Sequence, residues 1–278
     1  MNVCVFGASG YLGSTVYQLL KNEPSLDVSG TYLTDPGAFT DLHKLDVNDP
    51  ESFSGFYKTM QPDVVVWSVM SGTYEDDLIN EGLLHLLDHL RPETKLIYLS
   101  TDFVFSDGNG PYNEEDYVSK WPDEHTLSTY ANAKIKAERM IADQVTNYAI
   151  LRAGPIYGEN HLGQQDERTK QLKETLANEQ ITAYRPDLIR TFVHVEDLAA
   201  AVVAFVSNGL TGIYHTGAKR QASFYTFMRK MTEMLGYQPE RIEKAPEDDQ
   251  PDKEMPKNTA LSTEKITAET DLHFRPLP

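Results

Sequence analysis

The sequence predicts an α/β protein with a doubly wound parallel sheet and a smaller C-terminal α/β region. Three observations carry this: short apolar runs alternate with stretches of helical period, a glycine-rich turn joins the first run to the first helix, and the pattern turns irregular past Gly154-Pro155. In order, residues 2–6 (NVCVF) read as a strand and 11–21 as a helix. Residues 27–32 (DVSGTY) form a second strand, and 44–47 end a third. The run 63–68 (DVVVWS) is continuously apolar at its centre, as expected of a strand covered on both faces. A helix over 79–90, a strand over 95–100 (KLIYLS), a surface loop over 106–124, a helix over 130–144 and a buried strand over 148–152 (YAILR) follow. Beyond them come a polar helix near 164–178, a short strand and apolar helix within 191–206, and a helix over 223–235. The Pro-rich acidic stretch 246–258 reads as a loop or linker. The expected division is a nucleotide-binding unit over 1–154, rejoined by 190–217, and a second region over 155–278.

Composition narrows the function. Of 278 residues, 40% are hydrophobic and 24% charged, which supports a sizeable core. The formal charge of −17 disfavours nucleic acid and anionic membrane as partners, because both would repel it. No apolar run reaches the roughly 20 residues of a membrane helix. The start MNVCVF lacks a basic leader segment and reads as a mature first strand, so a cytoplasmic location is expected. The single cysteine, Cys4, lies in that strand and reads as a space-filling thiol.

Gly7-Ala8-Ser9-Gly10-Tyr11-Leu12-Gly13 sits between strand and helix. Gly7 permits a tight turn, Gly10 a close approach of backbone to pyrophosphate, and Gly13 close helix–strand packing. The helix N-terminus adds amides and partial positive charge. Gly7, Ser9, Gly10, Tyr11, Leu12 and Gly13 are therefore expected to bind a dinucleotide, as in a Rossmann-type unit. Thr31 and Tyr32, closing the second strand, and Asp46 and Val47, closing the third, are further cofactor candidates. The second strand ends GTYLT, with no acid to repel a 2′-phosphate, which favours NADP(H) over NAD(H).

The Gly-x-x-Gly-x-x-Gly spacing resembles the extended short-chain dehydrogenase/reductases. The segments STDFVF (100–105), GPY (110–112), EED (114–116), YANAKIKAE (130–138), LRAGPIYG (151–158) and RTFVHVEDL (190–198) resemble the dTDP-4-dehydrorhamnose reductase branch of that family. The likeness covers about residues 1–160 and 190–217. It implies catalytic roles for Thr101, Tyr130 and Lys134: Tyr130 protonates a carbonyl oxygen as hydride arrives, Lys134 lowers the phenol pKa and holds the nicotinamide ribose, and Thr101 hydrogen-bonds the same oxygen. Tyr130 and Lys134 are four apart on a predicted helix, so they share a face. Asn80 matches a helix asparagine that often supports this lysine, with a plain surface amide as the alternative. Phe103 stands where related 4,6-dehydratases carry glutamate, which disfavours dehydration.

The implied substrate is a nucleotide sugar, with Asp102, Asn160 and Arg190 as its contacts and Lys170 and Lys173 as nearby cations. Arg190 is the preferred phosphate ligand because its planar fork suits paired oxygens, against the alternative that it pairs with Asp187 or Glu196. The chain departs from the branch at Trp67-Ser68-Val69-Met70, where small residues usually line the cofactor, and at Pro186-Asp187-Leu188-Ile189-Arg190. His85 and His89 have the i, i+4 spacing of a metal pair but no third ligand, so a helix face is expected and no metal. His194 reads as a turn-ordering residue. The function this implies is an NADP(H)-dependent reductase of a 4-keto nucleotide sugar. The alternatives are an NADP-binding regulatory subunit resembling that of methionine adenosyltransferase, or a reductase or epimerase of another carbonyl compound. A homodimer stays open.

Overall fold

The computed structural model describes residues 1–245 and 255–278, so most of the 246–258 stretch lies outside the described residues. Its elements run β1 (Asn2–Phe6), α1 (Tyr11–Lys21), β2 (Asp27–Tyr32), β3 (His43–Lys44), α2 (Pro50–Met60) and β4 (Val64–Trp67). A short α3 (Glu75–Asp77) continues through a π-helical stretch, Leu78–Leu83, into α4 (Leu84–His89). Then come β5 (Lys95–Thr101), α5 (Ser128–Gln144), β6 (Tyr148–Ala153), β7 (Ile156–Tyr157), α6 (Glu167–Ala177), β8 (Thr182–Tyr184), β9 (Ile189–Arg190) and β10 (Val193–His194). The chain ends with α7 (Val195–Ser207), β11 (Gly212–Thr216), β12 (Ala222–Ser223), α8 (Phe224–Met234), β13 (Ile242–Lys244) and α9 (Glu264–Glu269).

Seven strands pair in the order β11-β6-β5-β4-β1-β2-β3, every pair parallel. The α/β expectation holds. Period-two alternation explains the two cores. Val3, Val5, Val64 and Val66 face α1 and α7 through Val16, Leu20, Ala199, Val202 and Phe205. Cys4, Phe6, Val65 and Trp67 face the opposite layer, where Phe53, Leu83, Leu86, Ala137 and Ile141 pack. Cys4 is fully buried there and its thiol is pushed up to about 12 by desolvation, which suits a packing role. Trp67 belongs to the same core, stacked on Phe6 with ring centroids 5.5 Å apart. A third cluster, Tyr157, Leu172, Leu176, Phe192, Phe227, Met228, Met231 and Ile242, forms beyond the main sheet.

One element absent from the sequence expectation is α2. Asp49 caps it, accepting from the Glu51 and Ser52 amides, Pro50 begins it, and Gln61 ends it in the left-handed region. Its buried residues, Phe53 and Tyr57, are one helical turn apart. Among the described residues no helix is long and apolar enough to cross a membrane.

Candidate active site

The order of strands reverses between β1 and β4, and ligands of open α/β sheets bind beyond the carboxyl ends of strands at such a point. The glycine turn leaves β1 there. Gly7 has φ +82°, and its amide donates to the Thr31 hydroxyl (3.2 Å). A Cβ on Gly13 would sit 2.1 Å from the Gly7 carbonyl, so only glycine lets α1 lie this close to the turn. Gly10 is the N-cap of helix α1, so no side chain caps it, and its first turn carries no acid. Its N-terminal amides are thus left for an external anion. These residues fit a dinucleotide pyrophosphate. The β4 turn closes the other side: Ser68 Oγ donates to the Phe6 carbonyl (2.8 Å), and the Val69 amide lies 3.1 Å from where a Gly7 Cβ would stand. The bulky WSVM segment therefore sends Trp67 into the core and brings only Ser68 and Val69 to the cradle.

Other expected cofactor contacts take varied places. Thr31 is buried, and its hydroxyl accepts from the Gly7 amide, so it braces the cradle. Tyr32 is half-buried at the strand end. Asp46 is exposed and accepts from the Asn48 amide, while Val47 is buried with its carbonyl against the His85 ring (3.0 Å). Tyr11 donates to the Gly158 carbonyl at 2.6 Å.

Thr101 ends β5 and Tyr130 stands in the first turn of α5, which brings the two within hydrogen-bonding reach. Lys134, one turn on, is buried, with its ammonium 5.8 Å from the centre of the Tyr130 ring and 4.9 Å from that of Tyr98. It donates to the Leu99 carbonyl (3.3 Å) and lies 2.9 Å from Oε1 of fully buried Glu75, at an angle oblique for a directed hydrogen bond. Burial pushes the Tyr130 phenol up, Lys134 opposes this, and Glu75 adds to it. Asn80 does not support Lys134; it binds Asp76 and Lys136 on the helix surface, and Glu75 takes that place. Nothing local in the sequence marks Glu75, because its partner is 59 positions away.

The expected substrate contacts are spent on the fold. Asn160 is buried, donating to the Tyr11 carbonyl and Ser14 hydroxyl and accepting from the Leu162 and Gln164 amides. Arg190 is fully buried, with its guanidinium on the carbonyls of Ile189, Pro256 and Lys257 and its Nε 3.6 Å from Asp102. Its two Nη atoms are held by carbonyl oxygens, while Nε faces Asp102 without a directed hydrogen bond, so the guanidinium is turned onto the fold. Asp187 pairs with Arg185, and Glu196 with Arg275. Asp102 accepts from the Thr259 hydroxyl at 2.5 Å, and burial raises its carboxyl despite Arg190. Thr259 and Glu138 are polar partners that the sequence reading missed; Glu138 joins Ser100 on β5 (2.5 Å) to Arg152 on β6 (2.7 Å). Lys170 is exposed beside Glu167, and Lys173 is half-buried. His85 and His89 each turn Nδ1 to a backbone carbonyl and pack on Phe53. His194 caps α7 and fills the space against Gly158.

With this geometry in view, the likenesses to known proteins are specific. The model of the RmlD substrate binding domain matches residues 89–277. A dTDP-4-keto-6-deoxy-D-glucose reductase of Streptomyces niveus is 26% identical over 261 residues, covering 88% of this chain and 82% of that protein. Methionine adenosyltransferase 2 subunit beta of Danio rerio is 27% identical over 243 residues, covering 80% and 70%. The crystal structure of a hypothetical dTDP-4-dehydrorhamnose reductase from Sulfolobus tokodaii superposes with a TM-score of 0.83 at 19% identity, covering 100% and 98% of the two chains.

Proposed function

The chain belongs to the family of the RmlD substrate binding domain, and on that premise we propose that it is an NADP(H)-dependent reductase of a 4-keto nucleotide sugar. The observation that carries the proposal is the convergence of Thr101 and Lys134 on Tyr130 at the carboxyl end of β5, two strands from the glycine cradle. A bound nicotinamide cofactor supplies the hydride. Tyr130 delivers a proton to the carbonyl oxygen that accumulates charge, and Thr101 donates a hydrogen bond to the same oxygen. Lys134 supports the phenol and holds the ribose hydroxyls. Gly10 and the first amides of α1 hold the pyrophosphate. The described residues of 155–278, apart from the 190–217 segment, form the sugar-nucleotide side. The reductase name of the Streptomyces niveus relative supports this reading. The test is oxidation of NADPH and of NADH by the purified chain against a panel of 4-keto nucleotide sugars. Turnover with NADPH preferred mildly over NADH is expected, and no turnover of any member would sink the reductase reading.

One observation favours a second reading: the 27% identity to methionine adenosyltransferase 2 subunit beta suits an NADP-binding regulatory subunit. Calorimetric titration of dTDP into the NADPH-loaded chain separates the two, because only a sugar-nucleotide enzyme needs a nucleotide site.

A further inference from the structure

We propose that Glu75 is a positioning residue for the Tyr130–Lys134 pair: its carboxylate fixes the Lys134 ammonium beside Tyr130 and offsets its charge, so that Tyr130 works as a proton donor and not as a phenolate. The proposal rests on the reductase reading. Glu75 opens α3, on the far side of the β4 turn from the cradle, and no atom of it reaches solvent. Its Oε2 accepts from the Ser71 amide (2.7 Å) and the Gly72 amide (3.1 Å), so the turn holds the carboxylate in place. Its Oε1 lies 2.9 Å from Lys134 Nζ. An ionised carboxylate so buried is tolerated only with such partners, and two amides plus an ammonium supply them.

The groups facing the phenol come from three elements. Lys134 shares α5 with Tyr130, Glu75 comes from α3, and Thr101 and Tyr98 come from β5. Glu138 acts electrostatically on Tyr98 in turn. Lys134 is the one cation among these groups, and it draws the phenol toward phenolate. A reduction needs the opposite form, since the proton must be on the oxygen when the alkoxide develops. Glu75 opposes the cation's field at Tyr130 while leaving Lys134 fixed beside the Tyr98 and Tyr130 rings. Phenol is present below its pKa and lost as pH rises through it. Removing the Glu75 charge lowers that pKa and brings the alkaline loss of activity to lower pH.

The test uses the full chain as Glu75→Gln and Glu75→Asp. Two readouts are taken: the pH profile of NADPH-dependent reduction, and the Tyr130 phenol titration without substrate, read by ultraviolet difference between each protein and its Tyr130→Phe counterpart. In Glu75→Gln both alkaline transitions are expected to move down by about one pH unit, a tenfold change in the phenol-to-phenolate ratio. Glu75→Asp keeps the charge and is expected to lie between Glu75→Gln and wild type. A Glu75→Gln protein with native circular dichroism and an unmoved phenol titration overturns the proposal. If that variant does not fold, Glu75→Asp decides, and a titration identical to wild type overturns it. Should wild type turn over no keto sugar, the reductase reading fails, while the phenol titration still decides whether Glu75 acts on Tyr130.

Discussion

Two buried ion pairs flank Thr101, and they are built for different ends. On one side Arg190 faces Asp102 at 3.6 Å, and three backbone carbonyls occupy the rest of its guanidinium. On the other, Lys134 faces Glu75 at 2.9 Å with one carbonyl at 3.3 Å, and its remaining neighbours are the faces of two tyrosines. Both cations are out of water, yet the Arg190 Nη atoms fasten the carbonyls of Pro256 and Lys257 while Nε faces Asp102 at the end of β5. Lys134 instead sits where its charge acts on a phenol. Burial and charge alone therefore do not separate the two pairs; the group on which each charge acts does, a phenol for Lys134 and a carboxylate for Arg190.

The comparison breaks most clearly at Tyr130. Tyr130→Phe is expected to lower the reduction rate by about 10²–10⁴ while leaving the melting temperature and cofactor affinity close to wild type. Steady-state kinetics and NADPH titration check this, and a variant with near-native kcat would remove Tyr130 from the chemistry.

The structural side breaks next. Arg190→Met leaves Asp102 buried without its counter-charge and is expected to cost about 3–5 kcal/mol of stability in denaturant unfolding. Combining it with Asp102→Leu removes the stranded charge and should recover much of that loss, as double-mutant analysis would show. Additive losses would mean that the pair is not the unit argued for.

A smaller effect sharpens the contrast. Beneath Thr101, Ser100, Arg152 and His215 lie side by side in register on β5, β6 and β11. His215 is fully buried, and burial, with Arg152 next, lowers its pKa from 6.5 to about 3. The unfolded chain binds this proton below about 6.5 and the native protein does not. Stability from this site is thus full above that pH and declines as pH falls toward 3, by up to about 1.4 kcal/mol per pH unit. His215→Gln should flatten that slope in acid unfolding curves without moving the alkaline limb of activity, which belongs to the Tyr130 side.

The sequence by itself determined the strand–helix alternation, because sheet faces demand period two and helix faces a period near 3.6. It also determined the cradle: Gly7 takes a left-handed φ, and Gly13 allows an approach to the Gly7 carbonyl that a Cβ would block. The Tyr130–Lys134 pair was legible through the resemblance carried by STDFVF and YANAKIKAE, since a Tyr and a Lys one helical turn apart are commonplace by themselves. It left α2 unread although Asp49-Pro50 signals its start, since Phe53 and Tyr57 alone give a thin apolar stripe. Partners far apart in the chain were decided only by tertiary structure. Glu75 meets Lys134 through the β4 turn, Thr259 meets Asp102 across 157 positions, and Arg190 turns inward onto carbonyls from 256 and 257. A charged side chain carries no local sign of whether it will face a ligand or be spent on the fold. Which of these it does depends on the donors and acceptors that packing brings to it.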